Sequence, residues 1–127
     1  MAKKTKNLTV REIDNAYEIF VESQNYSNDV DNEIHSVIGM LFFQTRSHIQ
    51  LNVTNLNYIP ITFINQIVAL ARDLRAKKRV LVLVGIPYST FHYLQRFQLT
   101  RMFFQLRGGM VKRKFQNPLR SKGEFPN

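Results

Sequence analysis

Residues 79–86 read RVLVLVGI, a run in which every position from Val80 to Val84 is Val or Leu. A strand with no polar side has to be covered on both faces, so it belongs in the middle of a sheet. Upstream, Ile64, Ile67, Val68, Ala71 and Leu74 recur at helical spacing, and the basic residues Arg75, Lys77, Lys78 and Arg79 follow, as suits a helix C-terminus. Before that helix, HIQLNVTNL alternates Ile49, Leu51 and Val53 with polar residues, the period-2 pattern of a strand. Strand, helix, strand in this order predicts a βαβ crossover with parallel strands.

The N-terminal half extends the pattern. LTVREID and AYEIFVE, separated by Asn15, predict a hairpin; in the second, Tyr17, Ile19 and Val21 alternate with Glu18, Phe20 and Glu22. SQNYSND then supplies turn residues, and Ser27, Asn28 or Asp29 stands where a helix cap is required. Val30, Ile34, Val37, Ile38, Leu41 and Phe42 form the apolar stripe of that helix, with Asp29, Asp31 and Glu33 near its positive end. After Gly85 and Pro87, STFHYLQRF predicts a short third helix capped by Ser89 or Thr90 with Phe91 and Leu94 inward, and LTRMFF predicts a last edge strand.

Length and charge bound the rest. The 127 residues suit one domain, expected over 8–104, between a basic arm at 1–7 and a basic tail at 105–127. The absence of cysteine removes disulfides and thiolate chemistry and fits a cytoplasmic location, as does the lack of a membrane-length apolar run or a signal-like N-terminus. The net charge is +9 and uneven: seven of nine acids precede residue 34, whereas 14 Lys and Arg against two acids lie from Arg46 onward. Such a field favours nucleic acid, anionic lipid or an acidic protein. The tail residues Arg107, Lys112, Arg113, Lys114, Arg120 and Lys122, with Phe115 among them, are compatible with nucleic-acid contact, and equally with a solvated tail.

The segment NVTNLNYIPITFINQIVALARDLRAKKRVLVLVGIPYSTFHYLQRFQLTRMF, with the strand-Gly-x-Pro turn at Gly85 and Pro87, resembles the STAS domain of anti-sigma factor antagonists and of sulfate transporters. With the hairpin and first helix the likeness covers roughly 8–104. It implies an α/β fold with a four- to five-stranded mixed sheet and helices packed on it, in the order ββαβαβα(β). The family's turn before the second helix carries an aromatic, an apolar residue, then Asp-Ser-Ser-Gly. Here Tyr58 and Ile59 match the first two, Pro60 stands for Asp, Ile61 for the phosphorylated Ser, Thr62 for the second hydroxyl and Phe63 for Gly.

The resemblance therefore implies a non-enzymatic protein-binding module in transcription regulation. It would dock a partner, an anti-sigma factor with a histidine-kinase-like fold, through Tyr58, Pro60, Ile61, Thr62, Phe63 and Asn65, with phosphorylation switching weak or lost. Thr62 is the phosphoacceptor candidate; the simpler reading makes it a helix cap. Ile61 and Phe63 are either part of an exposed apolar patch with Tyr58 or members of the core. The alternatives are a nucleic-acid-binding module using the cationic half, or a STAS-like structural subunit of a larger complex, and a homodimer is compatible with each. His35, His48 and His92 share no ligand spacing, so no metal or cofactor is expected, and no nucleophile, base and acid combination is apparent.

Overall fold

A computed structural model of the protein describes residues 2–98 and 111–113. The chain forms an α/β layer in the order β1 (Ala2–Lys4), β2 (Leu8–Ile13), β3 (Ala16–Val21), α1 (Asn28–Gln44), β4 (His48–Asn52), α2 (Ile61–Ala76), β5 (Leu81–Ile86), α3 (Tyr88–Arg96) and β6 (Val111–Arg113). Its heart is the expected four-stranded mixed sheet of β2 to β5, with elements in the order ββαβαβα. Short strands of three residues extend it at each edge, so that spatial order equals sequence order.

The β2–β3 hairpin is antiparallel and closes through Asp14 and Asn15, with Asp14 in the left-handed region at φ 43° that Asp tolerates better than most side chains. From β3 onward the pairings are parallel. Each parallel step needs a crossover helix, and right-handed crossovers that always step in one direction across a sheet leave their helices on one face. That face carries the core: Leu8 and Val10 of β2, Ile19 and Val21 of β3, Ile49 and Leu51 of β4, and Leu81 and Leu83 of β5 meet Val30, Ile34, Val37, Ile38 and Leu41 of α1, Ile64, Ile67, Ala71 and Leu74 of α2, and Leu94 of α3.

The caps follow local chemistry, with exceptions. Ser27 caps α1, its hydroxyl accepting from the Val30 amide at 3.2 Å, and Asp29 and Asp31 sit in the first turn. Pro60 and Pro87 precede α2 and α3, and neither helix has a side-chain cap. Thr62, Ser89 and Thr90, expected as caps, lie inside their helices instead, because the fixed φ of proline starts each helix two or three residues earlier. At its other end α2 closes in a Schellman turn: Lys78 takes φ 60°, its amide donates to Arg75 O at 2.9 Å, and the Arg79 amide donates to Leu74 O at 2.8 Å.

Arg79, read from sequence as part of the basic end of α2, serves α1. Its buried guanidinium donates to Phe42 O at 2.9 Å, Leu41 O at 3.1 Å and Ser47 O at 2.8 Å, satisfying carbonyls at the end of α1 and the approach to β4. Burial pushes its pKa down from the usual arginine value.

Two further expectations change. In place of a mobile basic arm, Ala2–Lys4 pairs with β2, and Lys4 forms an ion pair with Glu22 at 2.5 Å. Within the expected tail, Val111–Arg113 pairs in parallel with β5. The strand expected at residues 99–104 lies outside the described residues.

The sheet's second face is polar at its centre, and it is not solvated as the alternation predicts. Glu18 is 1% exposed. Its carboxylate accepts from Arg11 Nε at 2.9 Å, Gln50 Nε2 at 2.7 Å and Asn52 Nδ2 at 3.3 Å, so the buried charge is paired and hydrogen-bonded across three strands. Asn52 Oδ1 in turn accepts from the Thr54 amide at 3.1 Å and the Thr54 hydroxyl at 2.6 Å.

Thr54 lies against Gly85, whose φ is +75° at an irregularity in β5, and a Cβ at Gly85 would fall 2.6 Å from Thr54 Cα. Gly85→Ala is expected to destabilise the fold by roughly 2 kcal/mol or more, read as a lowered urea midpoint at unchanged slope. A second expectation concerns Glu33, which holds the β1–β2 turn to α1. It accepts from the Thr5 hydroxyl at 2.6 Å, the Asn7 amide at 2.9 Å and the Asn7 side chain. Partial burial raises its pKa, but these hydrogen bonds together outweigh that and hold it below the ordinary carboxylate value. A depressed folded pKa means that the contribution is complete above the unfolded value near ~4.3 and is lost as pH falls through the folded value. The stabilities of wild type and Glu33→Gln should therefore approach each other only as pH falls below about 4.3, while at neutral pH the variant should be the less stable.

Candidate functional site

The loops that leave the carboxyl ends of the parallel strands β4 and β5 gather at one rim of the sheet. Here that rim holds the Val53–Pro60 connection between β4 and α2, and Pro87 at the start of α3. Val53, Leu56 and Ile59 are buried, and the Asn57 amide donates to Gln24 O at 2.9 Å, so the loop is held down at alternating points. Tyr58 is thereby turned outward, at 64% exposed.

The segment from Tyr58 to Asn65 divides sharply at the start of α2. Ile61 is 53% exposed and Thr62 is exposed, as is Asn65, whereas Phe63 is 2% exposed. The expectation that Phe63 shares an outward patch with Ile61 is corrected by helix geometry: positions two apart lie about 200° around the helix from each other, so they cannot share a face. Phe63 instead stands edge-on to Tyr26 at 5.3 Å and to His35 at 5.9 Å. Those two neighbours are themselves fixed. The Tyr26 hydroxyl donates to Asp31, and burial together with that carboxylate pushes the phenol pKa up. His35 Nε2 lies 2.5 Å from Gln66 Oε1 and 3.4 Å from Asp31.

The outward residues line a groove between the start of α2 and the outer side of α3, about 580 Å³ in volume. Tyr58 and Ile61 form one wall, Tyr93, Arg96 and Phe97 the other, and Ile64 and Thr90 lie deeper. Tyr93 and Phe97 rings are 4.9 Å apart, the Tyr93 hydroxyl donates to Asn65 Oδ1 at 3.2 Å, and the Arg96 guanidinium lies 5.8 Å from the Phe97 ring centre. Phe97 is 56% exposed because α3 ends at Arg96 and the chain turns there. Among the described residues no carboxylate lines the groove, and Arg96 and His92 stand on its α3 side. Pro60, half-buried, sets the angle at which α2 leaves the loop.

Of the expected docking residues, Tyr58, Ile61 and Asn65 are therefore brought together with α3, Thr62 is exposed beside them, and Phe63 is withdrawn. The α3 wall was missed in the sequence. Its signal was a surplus of rings: Tyr88, Phe91, His92, Tyr93 and Phe97 are more than a helix of nine residues can bury on one stripe.

Among the described residues no cluster of three or more His, Cys, Asp or Glu side chains could hold a metal ion, and no helix is long and apolar enough to cross a membrane. Lys112 and Arg113 belong to β6, and Arg107, Lys114, Arg120 and Lys122 lie outside the described residues. No protein-family model matches the chain, and no characterised protein matches its sequence.

The division at α2 is directly measurable. Phe63→Ala is expected to cost about 3–5 kcal/mol, and Ile61→Ala less than about 0.5 kcal/mol, in chemical unfolding. Equal losses would mean that Ile61 is as much core as Phe63.

Proposed function

We propose that the protein is a non-enzymatic protein-binding module similar to the anti-sigma factor antagonists, docking its partner in the groove between α2 and α3. One observation carries this reading: Tyr58 and Ile61 at the start of α2 and Phe97 at the end of α3, three large side chains from two separate parts of the chain, are exposed around a single groove. Convergence of exposed rings and an aliphatic anchor in a concave site is the usual composition of a protein-recognition centre.

The occupant fits as an acidic, amphipathic element of the partner. Its apolar side would cover Ile61 and Phe97, and its carboxylates would meet Arg96 at the edge. An anti-sigma factor with a histidine-kinase-like fold is the partner that the resemblance to STAS domains suggests, and the order of elements supports that resemblance.

Thr62 gives a route to control. Its hydroxyl is exposed in the first turn of α2, a helix without a side-chain cap. A phosphate there would meet the positive helix end and add up to about two negative charges beside Ile61, repelling an acidic partner. Because Pro60 and Ile61 replace polar residues of the family's turn, the switch is weaker than the family's.

The test is affinity purification from source cells with wild type, Ile61→Asp and Phe97→Ser, alongside phosphatase-treated and untreated samples. A stoichiometric partner with a histidine-kinase-like fold, present with wild type and absent with both variants, is the expected outcome. The same partner recovered equally with all three proteins rules out the groove. Mass spectrometry of the same bait reports phosphate on Thr62, or on Ser89 or Thr90 instead.

A further inference from the structure

The opposite rim of the sheet holds a second concave site of different chemistry. α1 and α2 both end there, and the loops into β4 and β5 lie side by side. Between them is a cleft of about 520 Å³ lined by Phe42, Phe43, Arg46, Lys77, Lys78 and Arg79, with no carboxylate among the described residues of its walls. Arg79 is occupied by the α1 carbonyls, but Arg46, Lys77 and Lys78 form no ion pair among the described residues.

Two features are unusual for a merely solvated charged surface. Phe43 is 83% exposed, the most exposed large apolar side chain among the described residues. It is also held in place: its ring stands edge-on to Phe42 at 5.1 Å, and Phe42 is in turn flanked by Lys77 Nζ and the Arg79 guanidinium, each 5.5 Å from the ring centre. The second is Lys78, in the left-handed conformation at the position after a helix where glycine is the default. A charge therefore stands at the mouth of the cleft at a position whose backbone favours glycine.

We infer that this cleft binds single-stranded nucleic acid, with the Phe43 ring stacking on a base while Arg46, Lys77 and Lys78 neutralise the flanking phosphates. The ligand must use an aromatic face and clustered cations together, and a nucleotide unit of a single strand does both. An acidic peptide satisfies the cations and leaves the ring idle. A bilayer is flat, and meets a projecting residue on a convex surface better than the wall of a cleft. The volume lies in the range of a pocket for a small ligand, enough for one nucleotide and part of the next. This site uses neither the basic tail nor the α2–α3 groove, so its success or failure is separate from that of the proposed docking function.

The experiment is fluorescence anisotropy of the full chain with labelled ten-nucleotide oligo(dT) and oligo(U), using UMP and heparin as competitors and phosphatidylserine vesicles as a parallel ligand. Phe43→Ala should weaken oligonucleotide binding by about five-fold or more. Lys78→Gly removes one charge while relieving the backbone, so it should keep or raise thermal stability and still weaken binding. Lys77→Ser with Lys78→Gly should lower the slope of log affinity against log salt by about 1.4, the single-strand value for two phosphate contacts. Displacement by UMP at concentrations equal to the oligomer's would assign the cleft to free nucleotides and overturn the strand. Absence of oligonucleotide binding, binding unaffected by Phe43→Ala and Lys78→Gly, or vesicle binding alone that these variants abolish would each overturn the proposal.

Discussion

Parity along the strands governs this molecule. Successive side chains of a strand point to opposite faces, and three helices on one face demand that every second residue of β2 to β5 be apolar. Leu8, Val10, Ile19, Val21, Ile49, Leu51, Leu81 and Leu83 meet that demand. The complementary positions are then free to differ, and in the middle of the sheet they are Glu18, Gln50 and Asn52, joined through one carboxylate. A slip of one residue in β3 or β4 would drive those polar groups under the helices and the aliphatic set away from them. The network therefore selects register as well as satisfying a buried charge.

The same layering separates two kinds of surface. Parallel strands collect the starts of α2 and α3 at one rim and the ends of α1 and α2 at the other. At the first rim both helices begin at prolines without side-chain caps, and the loop after β4 is pinned by Val53, Leu56 and Ile59, which turns Tyr58 and Ile61 toward α3. At the second, helix carbonyls gather, and Arg79 reaches from the approach to β5 to satisfy those of α1. Cationic residues are at home near helix C-termini. With Arg79 already engaged, Arg46, Lys77 and Lys78 are left in excess, and the cleft is positive.

Most of the architecture could be read from period. The run Val80 to Val84, the stripe from Ile64 to Leu74 and the stripe from Val30 to Leu41 report burial on two faces, on one helical face and on another, and burial is what a packed layer imposes. Edges and turns were harder. Ala2–Lys4 carries no apolar alternation, since an edge strand is held mainly by backbone hydrogen bonds, which sequence does not display. Caps misled at Thr62, Ser89 and Thr90 because a preceding proline also starts a helix, and the two signals compete two or three residues apart.

The site was legible in part, and for one reason. Sequence by itself determined that Tyr58 stands in a connection ahead of a helix, that an apolar stripe runs from Ile64 to Leu74, and that cations dominate after Arg46, because each of these is a local property of composition and spacing. Only the tertiary structure decided that Phe63 turns inward onto Tyr26 and His35, that Phe97 comes to face Ile61 across a groove, and that Arg79 serves α1 in preference to its own helix. Those outcomes depend on which surfaces the crossovers bring together, and contact between residues on different elements far apart in the chain has no period for a sequence to carry.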